Sequence, residues 1–65
     1  MNLTELKALR LKKGLKQKDI AQILGINTNS YTKKENKKNP FTLAEAKILK
    51  EYFELDNNLF IKIFF

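Results

Sequence analysis

The chain has 65 residues, which bounds it to one small domain with a modest core. It contains no cysteine and no histidine, which excludes disulfides, thiolate metal sites and the commonest general base. Lys and Arg number 13 against 7 Asp and Glu, a formal net charge of +6, and no apolar run approaches the roughly 20 residues of a membrane span.

The charge is localised. Between Lys7 and Lys38 there are ten basic residues against two acids, a net of +8, whereas from Asn39 onward three basic residues meet four acids. A basic half joined to a near-neutral half points to a polyanion-binding face and a separate packing or pairing region. The bland alternative is a solvated surface that keeps the protein in solution. No signal-peptide pattern is present, so a soluble, cytoplasmic protein is expected.

In chain order, "MNLTELKALRLKKG" opens with Asn2 three residues before Glu5, the spacing of a capping box, with Met1 and Leu6 placed as a hydrophobic staple. Leu3, Leu6, Leu9 and Arg10 share one helical stripe, with Lys7, Lys12 and Lys13 outside it. Gly14 is a natural left-handed stop, so the spacing predicts a helix over Leu3 to Lys13. "LKQKDIAQILG" follows, with Ile20, Ala21, Ile23 and Leu24 as an apolar face and Gly25 as the next stop. A helix over Gln17 to Leu24 is expected. Its start is weakly signalled, because Lys16 offers no side-chain acceptor for the first amides.

From Thr28 to Glu35 the chain is polar, with Tyr31 its main apolar residue. Asn27 is a strong N-cap, so a third helix is predicted here, one too polar and short to stabilise itself. One face of it carries Thr28, Asn29, Thr32 and Lys33. "NKKNP" reads as a loop, since the residue before a proline disfavours helix. Thr42 and Glu45 then form the clearest capping box in the chain, with Phe41 as the outer half of a staple. Leu43, Ala46, Leu49 and Phe53, joined by Ile48 and Tyr52, carry a helix to about Phe53. Asp56 caps a final short turn through Leu59 and Phe60, and the terminal "FIKIFF" is apolar, aromatic and β-prone, a short extended segment.

Two short helices joined by a glycine-containing turn are the helix-turn-helix plan. A DNA major groove admits one α-helix that shows hydrogen-bonding side chains outward. Asn pairs with adenine, Lys with guanine, and the Thr methyl group meets the thymine methyl. Thr28, Asn29, Thr32 and Lys33 supply that chemistry on one face and are assigned to bases. Lys16, Gln17, Ser30, Asn36, Lys37 and Lys38 are assigned to phosphates, which position a protein without specifying sequence.

On these residues the sequence resembles the Cro/C1-type (XRE-type) helix-turn-helix repressors. The likeness runs from about Leu6 to Phe60 and rests on "LKALR", "GLKQKDIAQILGI" and "YTKKEN". It implies an all-α fold of four or five packed helices, a structural ion pair between Arg10 and Glu35, and a phosphate contact from Gln17. Three residues depart from the family pattern. Lys16 stands where the family caps the second helix with Ser or Thr, so that helix start is expected to fray. Lys34 stands at a commonly apolar position, so looser docking of the third helix is expected. Lys37 stands where Gly is usual, so either the Lys adopts a left-handed conformation or the loop is built differently.

The resulting expectation is a single domain over residues 1–65, a sequence-specific binder of double-stranded DNA, and a small repressor of phage or mobile-element type acting at the nucleoid. The tail has two readings: "FIKIFF" packs under the helices, or it pairs with a second copy. A homodimer on a near-palindromic operator is favoured, with residues 60–65 as its interface. No metal, cofactor, small-molecule ligand or membrane partner is expected. The competing class is a protein-binding module, an antitoxin or anti-repressor on the same scaffold. An enzyme is disfavoured by the absence of His, Cys and clustered carboxylates.

Overall fold

In a computed structural model, which describes all 65 residues, the chain forms five helices: α1 Leu3–Lys12, α2 Gln17–Leu24, α3 Thr28–Glu35, α4 Leu43–Tyr52 and α5 Asn57–Phe64. The starts follow from capping. The Asn2, Asn27, Thr42 and Asp56 side chains each accept from an amide of the first turn, at 3.3, 2.7, 3.1 and 2.8 Å, which satisfies donors that the helix itself leaves open. The start of α2 lacks such a cap. There the Asp19 carboxylate reaches back to the Lys16 amide at 2.7 Å, the reverse half of a capping box, while the Asp19 amide falls back on the Lys16 carbonyl at 3.0 Å.

The ends are more uniform than the glycines suggest. After each of the first four helices an amide bonds five residues back: Leu15 to Arg10, Ile26 to Ala21, Lys38 to Lys33 and Leu55 to Lys50, at 2.8 to 3.1 Å. This closure needs a left-handed residue just before the donor. Gly14 and Gly25 supply it twice, with φ 70° and 73°, but Lys37 (φ 65°) and Glu54 (φ 54°) supply it the other two times. Of the two readings of Lys37, the left-handed one is the conformation adopted.

The core draws on all five helices: Leu3 and Leu6, Ile20 and Ala21, Tyr31, Leu49 and Ile63, with Phe53 and Leu55 closing it below α4. Burying a side chain the size of Leu6 or Ile63 contributes about 1.5–3 kcal/mol. Met1 is 66% exposed, so it does not fold down as the outer half of a staple. The Asn2 amide instead donates to the Ile63 carbonyl at 3.0 Å, tying the chain start to α5. Ile48, Tyr52 and Leu43, read as part of the apolar face of α4, are exposed.

The extended segment expected at the C-terminus is not formed. Residues 57–64 are helical, and the reason lies in spacing. An extended chain would place Lys62 on one face with Phe60 and Phe64. The helix lets Leu59, Phe60, Ile63 and Phe64 face the core together while Lys62 turns to solvent. Burial of Ile63 overrides the β propensity of the segment. Ile61 and Phe65 remain open, at 55% and 68%.

Lys34 does not loosen α3. Its ammonium bonds the Glu45 carboxylate at 2.8 Å and the Pro40 carbonyl at 3.1 Å, and both charged side chains are largely covered. The same Glu45 oxygen accepts from the Thr42 amide at 2.9 Å, so one carboxylate caps α4 and anchors α3. Burial alone would raise the Glu45 pKa, but the bonds from Lys34 and Thr42 outweigh it and hold it below the usual carboxylate value.

Candidate nucleic-acid interface

α2 and α3 meet across the Gly25–Ile26–Asn27 turn. Ala21, 1% exposed, belongs to the same buried cluster as Tyr31, where a small side chain permits close approach of a neighbouring helix. Tyr31, 0% exposed, is the apolar anchor that α3 sets into the core.

The second anchor is ionic. Arg10 in α1 and Glu35 at the end of α3 are each only 6% exposed. Arg10 Nε and Nη2 donate to the two Glu35 oxygens at 3.0 and 3.1 Å, and Nη1 donates to the Leu15 carbonyl at 2.9 Å. The Tyr31 hydroxyl donates to Glu35 at 2.7 Å. The Gln17 amide donates to it at 3.1 Å. No buried side-chain nitrogen or oxygen is left unpartnered, the condition under which a buried charge pair is tolerable. Burial pushes the Glu35 pKa up, but the donors from Arg10, Tyr31 and Gln17 more than reverse this and keep the carboxyl ionised. The Tyr31 phenol is pushed far up by burial, then by the bond to Glu35 and its negative charge, with Arg10 opposing; it stays protonated.

Gln17 is the first residue of α2, and besides donating to Glu35 it accepts from the Thr32 hydroxyl at 2.7 Å. The start of α2 therefore lies against the C-terminal half of α3. Lys16 stands next to Gln17, and Asn36, Lys37 and Lys38 continue from the end of α3, so the basic residues on both sides gather near one end of that helix. All four are exposed. Toward the other end Thr28 and Asn29 are exposed, as is Lys33 one turn further on.

Among the four residues assigned to bases, Thr28, Asn29 and Lys33 present open side chains, while Thr32 is half-buried and bonded to Gln17. Ser30 is half-buried, with its amide held by Asn27 at 2.7 Å. Treating Tyr31 only as the main apolar residue of α3 misses that its hydroxyl completes the Glu35 cluster, although the one-turn spacing of Tyr31 and Glu35 signals it. The Thr32–Gln17 bond joins two helices and has no local signature.

A capped helix held across a glycine turn, polar outward and anchored inward, defines a helix-turn-helix protein. The sequence model of the helix-turn-helix family matches residues 6–56. The chain belongs to that family, in its Cro/C1 type, a family of DNA-binding transcription regulators rather than of enzymes. No curated protein and no solved structure matches it. No helix is long and apolar enough to cross a membrane.

Proposed function

We propose that the protein is a sequence-specific repressor of phage or mobile-element type that acts at the nucleoid, with α3 entering the major groove. The observation that carries this reading is the exposed face of Thr28, Asn29 and Lys33 on a helix too polar to hold itself. That face is fixed from behind by Arg10 and Glu35 and flanked by Lys16, Lys37 and Lys38. Thr28, Asn29, Thr32 and Lys33 read bases. Lys16, Gln17, Ser30, Asn36, Lys37 and Lys38 meet phosphates.

The protein acts as a homodimer on two half-sites about 34 Å apart, one helical turn of DNA. Met1, Leu43 and Phe65 are 66%, 57% and 68% exposed along a single groove of about 500 Å³. Open apolar side chains gathered in this way favour a second copy over solvent. Because Ile63 is spent on the core, the interface centres on Phe65 and its neighbours rather than on the whole of residues 60–65.

Selection of bound duplexes from a random pool tests the reading. A recurring motif with two related halves is expected, bound with an affinity that falls steeply with salt as phosphate contacts release counterions. Undetectable binding to any duplex at low salt would refute it.

A further inference from the structure

Of the polar side chains on the outward face of α3, Thr32 alone is bonded within the protein. The polarity of that bond is fixed by the chemistry behind it. Glu35 is ionised and held by Arg10, so its oxygens only accept. The Gln17 atom 3.1 Å from Glu35 Oε1 is therefore the amide nitrogen. The opposite arm of Gln17, facing Thr32, is then the carbonyl oxygen, which also only accepts. At 2.7 Å the Thr32 hydroxyl must donate to it. A threonine hydroxyl has one hydrogen and two lone pairs, and here the hydrogen is committed.

We infer that Thr32 is a specificity-determining residue which offers DNA only lone pairs and a methyl group, and so rejects guanine. This rests on the proposed insertion of α3 into the major groove. A free threonine hydroxyl tolerates either kind of base edge, because it donates or accepts as needed. A committed one discriminates. Adenine N6 and cytosine N4 present donors that its lone pairs receive. Thymine meets it through the two methyl groups. Guanine presents only the acceptors N7 and O6 in the major groove, so lone pairs face lone pairs. The same relay leaves Gln17 one amide hydrogen with no partner in the protein, in keeping with its proposed contact to a phosphate oxygen. The buried ion pair thus reaches the groove: Arg10 orients Glu35, Glu35 orients Gln17, and Gln17 orients the Thr32 hydroxyl.

The test is selection from random duplexes with the wild type, Thr32→Ala and Gln17→Met. The base pair read by Thr32 is the one whose preference weakens in Thr32→Ala. At that pair the wild type should bind one orientation of G·C and discriminate against the other by about fivefold or more. Gln17→Met removes the acceptor at similar length and frees the hydroxyl proton, so the discrimination should shrink to about twofold or less while other positions keep their preferences. Equal binding of both G·C orientations by the wild type would overturn the inference. So would an unchanged motif in Thr32→Ala, or undiminished discrimination in Gln17→Met. If Gln17→Met fails to fold, the wild-type complex decides by NMR. A slowly exchanging Thr32 hydroxyl proton, bonded to the Gln17 carbonyl, is expected, and its absence overturns the inference. Failure of the wild type to yield any motif overturns the DNA-binding reading instead, so the two failures are distinguishable.

Discussion

Glu35→Ala is predicted to remove most of the stability of the fold. Glu35 and Arg10 are each 6% exposed, and the Glu35 carboxylate receives four hydrogen bonds. Alanine strands Arg10 Nε and Nη2 in the interior, leaving the guanidinium only the Leu15 carbonyl. Removing one partner of a buried ion pair costs about 3–5 kcal/mol. The Tyr31 hydroxyl, on a residue with no exposure, loses its acceptor as well, a penalty of about 1–3 kcal/mol taken alone. Both penalties arise from one carboxylate, so they overlap rather than add, and about 3–5 kcal/mol is the working figure. A domain of this size has a total stability of about 3–10 kcal/mol. At about 4–8 °C per kcal/mol, Tm falls by about 12 °C or more. Thermal and urea unfolding followed by circular dichroism measure this. The triple variant Arg10→Met/Tyr31→Phe/Glu35→Leu should regain most of the loss, because apolar groups replace the buried pair at little net cost and no buried hydroxyl is left without an acceptor. The sign with pH is also fixed. The folded pKa of Glu35 lies below its ordinary value of 4.5, so its contribution is full above that value and is lost as pH falls through the lowered one. Wild type and Glu35→Ala should therefore converge in acid. A Tm shift of less than about 4 °C at neutral pH, roughly 1 kcal/mol, would refute the reasoning.

Lys37→Gly should raise stability by about 0.5–1 kcal/mol, since a left-handed φ strains a residue with Cβ while glycine adds some unfolded-state entropy; urea midpoints check it, and DNA affinity should fall at the same time through the lost charge. Lys34→Ala should cost about 1–2 kcal/mol at neutral pH, as a charge-assisted bond to Glu45 is lost, and less below the lowered pKa of Glu45, where the wild-type contribution also disappears. Asn29→Ala should cost about 1–3 kcal/mol on the selected site and little on random DNA, whereas Lys38→Ala should weaken both alike; equal losses for Asn29→Ala in paired titrations would remove it from base reading. Phe65→Asp should shift sedimentation toward the monomer and abolish the dependence of Tm on protein concentration that a dimer confers, while the monomer fold persists because Phe65 is 68% exposed within it.

The helix order was legible because it rests on local chemistry. Asn2, Asn27, Thr42 and Asp56 announce four starts, and Gly14 and Gly25 announce two ends. Two kinds of feature were not legible. One is a conformation a residue adopts against its preference: Glu54 closes α4 in the left-handed region with nothing in its own chemistry to say so. The other is a decision made by distant atoms. "FIKIFF" has strand propensity, and only the core position of Ile63, with the bond from Asn2 to its carbonyl, makes it helical. Likewise Lys34 reads as a misfit until the Pro40 carbonyl and Glu45 are brought to it by the loop between α3 and α4.

These misfits bear on one problem. A helix that presents Thr28, Asn29 and Lys33 outward has few side chains left with which to bury itself, so its position must come from contacts at its inner edge and its end. Tyr31 and Glu35 provide the edge, through α1 and α2. Lys34 and the left-handed Lys37 provide the end, the first by fastening to the cap of α4 and the second by turning the chain toward Pro40. An apolar residue at position 34 would pack without reaching the Pro40 carbonyl, and the loop that carries Lys37 and Lys38 would lose a tether. Lys34 therefore exchanges apolar docking for a tether to the cap of α4, and Lys37 exchanges glycine freedom for positive charge beside α3.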